Sequence, residues 1–191
     1  IYKEFFLNPN KIDLNTISKE KLEKIQNFYS GRINQLNYSE NYIVDKAPLN
    51  FRWMGFMKIF FPECKIIHCT RNAKDNCLSL FKNYFPSNEI NWSYDQKDLG
   101  KYYNLYLDLV SFWNSKLGDF VFEANYEKMI NNQEEEIKKM IKFCDLDWDN
   151  NCLHYYKNKK TPIRTVSVTQ ARKPMVSTSI NSNTKYSKYM K

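Results

Sequence analysis

Two histidines, no pair of cysteines at C-x-x-C spacing and no acidic residue from Asn150 onward are the main shortages of this 191-residue chain. With only His68 and His154 available, a histidine-based metal site is disfavoured, and the expected metal complement is none. His68 stands alone on a predicted buried strand, where a hydrogen-bonded core histidine is the favoured reading. The cysteines (Cys64, Cys69, Cys77, Cys144 and Cys152) are odd in number and lie mostly inside apolar runs. They read as reduced core residues of a cytosolic-type protein, not as a disulfide or zinc framework. No run approaches the eighteen or more apolar residues of a membrane span, and no signal peptide is seen. The expectation is therefore a cytoplasmic chain with no membrane partner. It starts at Ile1 without a methionine, which suggests a fragment or a processed product.

What is present fits one domain over 1–191, long enough to bury roughly 70% of its unfolded surface. The formal charge of +8 attracts nucleic acid, an anionic surface or an anionic small ligand without choosing among them. Basic residues collect after Lys157 (Lys159, Lys160, Arg164, Arg172, Lys173 and, further on, Lys185, Lys188 and Lys191). That stretch is either a solvated tail or a loop that binds a ligand.

Hydrophobic spacing predicts a helix from Thr16 to about Leu36, with hydroxyl caps at its start. Tyr42–Asp45 reads as a short strand ended by Lys46-Ala-Pro48, and Phe51–Phe61 as a helix. Lys65–Thr70 is the next strand and Ala73–Tyr84 the next helix. Asp98–Leu117 carries one broad apolar stripe and is a long helix. Phe120–Ala124 is a third strand, Gln133–Cys144 a helix and Trp148–Tyr156 a shorter one. Strands alternating with helices indicate an α/β fold with a parallel sheet flanked by helices, whose ligands bind at the carboxyl ends of the strands. Two cations stand at such ends, Lys46 and Arg71.

Arg71 on the turn after a strand, with Ser79 two helical turns on and the free N–H groups of a helix start beside them, makes a seat for a phosphate. The plainer alternatives are an ion pair between Arg71 and Asp75, and a back-bond from Ser79 to the carbonyl four residues earlier. Lys46 is held by the following Ala-Pro but, taken alone, is as well explained as a solvated lysine. Tyr126 follows a strand end, where it can stack on a base or fill core. Arg164–Pro174 mixes hydroxyls, an amide and cations in a region without periodicity, either as a tail or as a loop over an anion.

Taken together, these stretches resemble the nucleotide-dependent sulfotransferases, especially the bacterial and tyrosylprotein-type branch. The similarity runs through Asp45-Lys-Ala-Pro-Leu-Asn50, Pro62–Ser79 with its R-x-x-x-D-x-x-x-S pattern, Asn125-Tyr-Glu-Lys128, Phe143–Trp148 and Arg164–Pro174. It implies a P-loop-like fold and the donor 3'-phosphoadenosine 5'-phosphosulfate (PAPS). On this resemblance Arg71 and Ser79 match the residues that hold the donor's 3'-phosphate, and Tyr126 matches one at the adenosine. The loop containing Ser167, Arg172 and Lys173 matches one that closes over the nucleotide, and Lys46 matches a lysine near the transferring sulfuryl group.

Three departures accompany the match. Ala73 replaces the usual proline after the arginine. Asn181-Ser-Asn183 stands where a glycine, a base and a tryptophan are common. The glycine-rich loop for the 5'-phosphosulfate, together with the general base that follows it, is expected upstream of Ile1, so the amino-terminal strand–loop unit of the fold is missing. The expected activity is sulfuryl transfer from PAPS to a hydroxyl or amine of a small-molecule or peptide acceptor, with these residues alone inactive. The missing strand implies a homodimer or a partner that covers the sheet edge. The alternative is a non-catalytic module that binds adenosine bisphosphate or another anion. A nucleic-acid partner is disfavoured, because the basic residues do not alternate with aromatics along one element.

Overall fold

A computed structural model describes residues 18–36, 41–85, 88–158 and 172–190. The Ser167 assignment and the Arg164–Ala171 stretch of the expected nucleotide loop lie outside them. The chain divides into two compact units, Ile1–Cys64 and Lys65–Lys191.

In the first unit, helix α1 (Lys19–Asn34) begins at Ser18, whose side chain accepts the Lys21 N–H at 3.3 Å. Ile25 is its buried residue. A six-residue 3₁₀ helix, Pro48–Trp53, runs into α2 (Met54–Phe60). Proline at the start of that turn gives up an N–H that would have no partner in any case. The helix expected over 51–61 is thus 3₁₀ as far as Trp53 and α from Met54 to Phe60. Gln26 Nε2 donates to the Phe60 carbonyl at 2.6 Å, and the rings of Tyr29 and Phe61 meet with centroids 4.9 Å apart, tying α1 to α2.

The strand expected at Tyr42–Asp45 is not formed. Residues 42–47 have no regular structure, and Tyr42, Ile43 and Val44 are exposed, Val44 by 90%. A β-prone run becomes a strand only where a ladder and a half-buried surface receive it, and no described residue pairs with this one.

The second unit is built on β1 (Ile66–Thr70) and β2 (Val121–Asn125), paired in parallel with Ile66 opposite Val121 and Thr70 opposite Asn125. Parallel neighbours need a long crossover, and here it carries α3 (Ala73–Lys82), a 3₁₀ stretch (Asn88–Tyr94) and α4 (Gln96–Leu117). Asp95 caps α4 by accepting the N–H groups of Lys97 and Asp98, so the helix starts two residues before the apolar stripe does. Gly118 ends it at φ 49°, a left-handed conformation that favours glycine. Helices α5 (Tyr126–Asn131) and α6 (Gln133–Phe143) follow β2, and 3₁₀ turns cover Asn150–Lys157, Ser177–Ser179 and Ser182–Tyr189. Ile66, Leu78, Leu99, Val110, Phe120, Ala124 and Ile137 are buried as the core of this unit. The described sheet is therefore a two-stranded parallel one in a mostly helical α/β chain.

His68 is 8% exposed, and its Nε2 lies 3.1 Å from Tyr106 Oη. Burial pushes the imidazole pKa down and the Tyr106 phenol up to about 12, so both groups stay neutral. Tyr106→Phe leaves His68 Nε2 without this partner and is expected to cost about 1–3 kcal/mol, read as a lowered urea midpoint with unchanged slope. The five cysteines are all free, but none is fully buried, and Cys69 is exposed on β1. Alternation along β1 turns His68 inward and Cys69 outward, which corrects the reading of Cys69 as a core residue.

Candidate functional site

Pairing Thr70 with Asn125 brings the ends of β1 and β2 level, so the residues that follow, Arg71 and Tyr126, emerge side by side at the carboxyl edge of the sheet. The Arg71 guanidinium lies over the Tyr126 ring, 5.2 Å from its centroid. Thr70 Oγ1 donates to Glu123 at 3.3 Å and accepts from Asn125 Nδ2 at 3.4 Å, which locks this edge across the two strands. Asn72 caps α3 by accepting the Asp75 N–H at 3.1 Å, while its own N–H donates to Glu127 at 3.0 Å. Asn125 caps α5 in the same way through the Lys128 N–H at 2.9 Å. Two strand ends, two capped helix starts, an arginine and a tyrosine thus meet at one place.

The carboxyl-terminal stretch 172–190 is fastened along this edge. Tyr155 Oη donates to the Lys173 carbonyl at 3.0 Å, Tyr126 Oη to the Val176 carbonyl at 2.8 Å, and Arg71 Nη2 to the Ser179 carbonyl. Gln96 Nε2 holds the Tyr189 carbonyl at 3.0 Å. The central fastening is Asp75, whose side chain is fully buried and accepts four hydrogen bonds. They come from Asn181 N at 2.7 Å, Ser182 Oγ at 3.1 Å, Asn183 N at 2.8 Å and Asn183 Nδ2 at 2.8 Å. Burial acts to raise the Asp75 pKa, but the donors from Asn183, Ser182 and Asn181 outweigh it and hold the carboxyl below the usual aspartate range. The stability this contributes is complete above the ordinary aspartate value and is lost as pH falls through the lowered one.

The sequence-derived candidates fall out unevenly on this frame. Arg71 and Tyr126 are brought together. The ion pair between Arg71 and Asp75 is not formed among the described residues, because Asp75 is given over to the Asn181–Asn183 turn and Arg71 to Ser179 and Tyr126. Arg71 Nε is buried without a partner among the described residues. Ser79 sits half-buried in the second turn of α3, and the back-bond to the Asp75 carbonyl is not made. Arg172 and Lys173 belong to the fastened stretch, Lys173 through its backbone.

Lys46 belongs to the other unit, exposed on residues 42–47. Asp45 beside it accepts the Tyr29 hydroxyl at 3.0 Å, and the 3₁₀ helix begins two residues later at Pro48. Burial, followed by the bond to Asp45, pushes the Tyr29 phenol up to about 12, which keeps it a donor. Sequence reasoning named Asp75 only as an alternative ion-pair partner of Arg71 and missed its role as the anchor of the Asn181–Asn183 turn, whose residues lie more than a hundred positions away. Among the described residues no three His, Cys, Asp or Glu side chains cluster as a metal ligand set, and no helix is long and apolar enough to cross a membrane.

The sequence model of the sulfotransferase family matches residues 13–150, which include Lys46, Arg71, Asp75, Ser79 and Tyr126. An uncharacterized protein of Aquifex aeolicus (strain VF5) is 29% identical over 171 residues, 88% of this chain and 22% of its own length. A Caenorhabditis briggsae protein named "Putative protein-tyrosine sulfotransferase" is 24% identical over 124 residues, 60% of this chain and 40% of its own. The chain thus spans less than half the length of either relative. A match over more than two-thirds of the residues, with the Arg71 turn and Tyr126 inside it, places this chain in the sulfotransferase family.

Proposed function

We propose that this chain carries the donor-nucleotide site of a PAPS-dependent sulfotransferase on a P-loop-like frame, with Arg71 as the ligand of the 3'-phosphate. The observation that carries the reading is the guanidinium at the carboxyl edge of β1: it is braced by Tyr126 and the Ser179 carbonyl while its buried Nε–H has no described partner. A buried cationic donor left unpaired is costly unless an anion completes it, and an oxyanion is the complement of an arginine fork. Ser79, half-buried on the helix that starts beside Arg71, supplies a hydroxyl to the same phosphate. Tyr126 provides the aromatic face for the adenosine.

In the reaction, the acceptor oxygen or nitrogen attacks sulfur as the bond from sulfur to the bridging 5'-phosphate oxygen breaks, and the acceptor proton passes to a base. Adenosine 3',5'-bisphosphate is released. Like phosphoryl transfer, this chemistry requires positioning and charge neutralisation at the leaving oxygen. Lys46, steadied on one side by Asp45 and on the other by Pro48, is assigned the neutralising role. The acceptor class is a hydroxyl or amine on a small molecule or peptide.

Calorimetry with two nucleotides tests the donor site. Adenosine 3',5'-bisphosphate is expected to bind at least about tenfold more tightly than 5'-AMP, the size of one charge-assisted hydrogen bond. Equal affinities would remove Arg71 from the nucleotide site. A loss of orders of magnitude between roughly 50 and 200 mM salt would point instead to a polyanion on the surface.

A further inference from the structure

We propose that Asp75 is a positioning residue for the donor nucleotide, acting on Arg71 through the Asn181–Asn183 turn. This rests on the reading of Arg71 as the 3'-phosphate ligand.

Asp75 is fully buried, and its four described side-chain bonds all come from one tripeptide 106 to 108 positions away. The net stability gained by burying an ionised group is small even when every hydrogen bond to it is made. The better-attested use of a buried charge is to fix register. Here the register fixed is that of the carboxyl-terminal stretch.

Two residues before Asn181, the Ser179 carbonyl accepts from Arg71 Nη2, and three residues before that the Val176 carbonyl accepts from Tyr126 Oη. A guanidinium is a rigid planar fork, so holding Nη2 on the Ser179 carbonyl with the central carbon over the Tyr126 ring sets the direction of the other nitrogens, including the unpartnered Nε–H. Asn181 itself turns at φ 56°, a conformation that asparagine adopts more readily than most residues. The turn therefore offers its two backbone N–H groups and its side chains to a single acceptor. Asp75 touches neither phosphate nor sulfuryl group in this scheme. It decides where Ser179 lies, and Ser179 decides how Arg71 faces.

The test uses Asp75→Asn, Arg71→Ala and the double variant in the 191-residue chain, with adenosine 3',5'-bisphosphate and 5'-AMP titrated by calorimetry. Asp75→Asn keeps the side chain's shape but removes the charge and turns an amide N–H₂ toward donors. The Kd for the bisphosphate is expected to rise about tenfold, while that for 5'-AMP stays unchanged. In the Arg71→Ala background the same substitution is expected to add no further loss, because Asp75 acts through Arg71. An unchanged bisphosphate Kd, an equal loss for both nucleotides or an additive double variant would each overturn the proposal. Where Asp75→Asn does not fold, Asn183→Ala removes one of the two side-chain donors among the four bonds to Asp75 and carries the same expectations. Failure of the underlying reading shows separately, as a wild-type chain that does not prefer the bisphosphate.

Discussion

Lys46→Ala is expected to lower kcat by about 10²- to 10³-fold in the catalytically active protein, the usual effect of removing a group that neutralises charge in the transition state. The donor KM is expected to move much less. Sulfuryl transfer builds charge on the bridging oxygen as the bond to sulfur breaks, so a cation serving that oxygen contributes more in the transition state than in the ground state. The local structure suits this role, because the residue before Lys46 is pinned by the Tyr29 hydroxyl and the chain enters a 3₁₀ helix at Pro48 just after it. A frame of this kind limits the reorganisation that a flexible lysine would otherwise need. Steady-state and single-turnover kinetics on the purified variant decide the point. Normal kcat with only a raised donor KM would assign Lys46 to ground-state binding.

Arg71→Ala is expected to weaken adenosine 3',5'-bisphosphate binding by about 1.5–3 kcal/mol, the range for a hydrogen bond to a charged group. Arg71 also holds the Ser179 carbonyl and packs on Tyr126, so some thermal stability is lost with it. Arg71→Lys separates the two contributions, because a lysine keeps the charge but not the planar fork. It is expected to recover part of the affinity while leaving the bond to Ser179 poorly made. A collapsed melting temperature with unchanged affinity in the protein that stays folded would make Arg71 a structural residue.

Much of the fold was legible because its signals are local. The apolar stripe of α4, the run Ile66–Thr70 and the spacing around Ile137 each report a period that any isolated segment would show. Boundaries moved where a cap outside the stripe decided them, as Asp95 does for α4. The Tyr42–Asp45 run marks where local signals stop. Its composition is that of a strand, but a strand is a relation between two segments, and composition describes only one of them.

For the candidate site, the sequence by itself determined the cation on the turn after β1, the helix that starts beside it, and the family to which these motifs belong. It left the partners of those residues open, because Arg71 four residues before Asp75 also allows an ion pair, which is not formed among the described residues. Only the tertiary structure decided that the parallel register sets Tyr126 beside Arg71, and that Asp75 turns away to gather Asn181, Ser182 and Asn183. The physical reason is that a buried carboxylate takes the donors that reach it with good geometry. Which donors arrive depends on how the last stretch of the chain closes on the sheet edge and α3, not on what lies near the carboxylate in sequence.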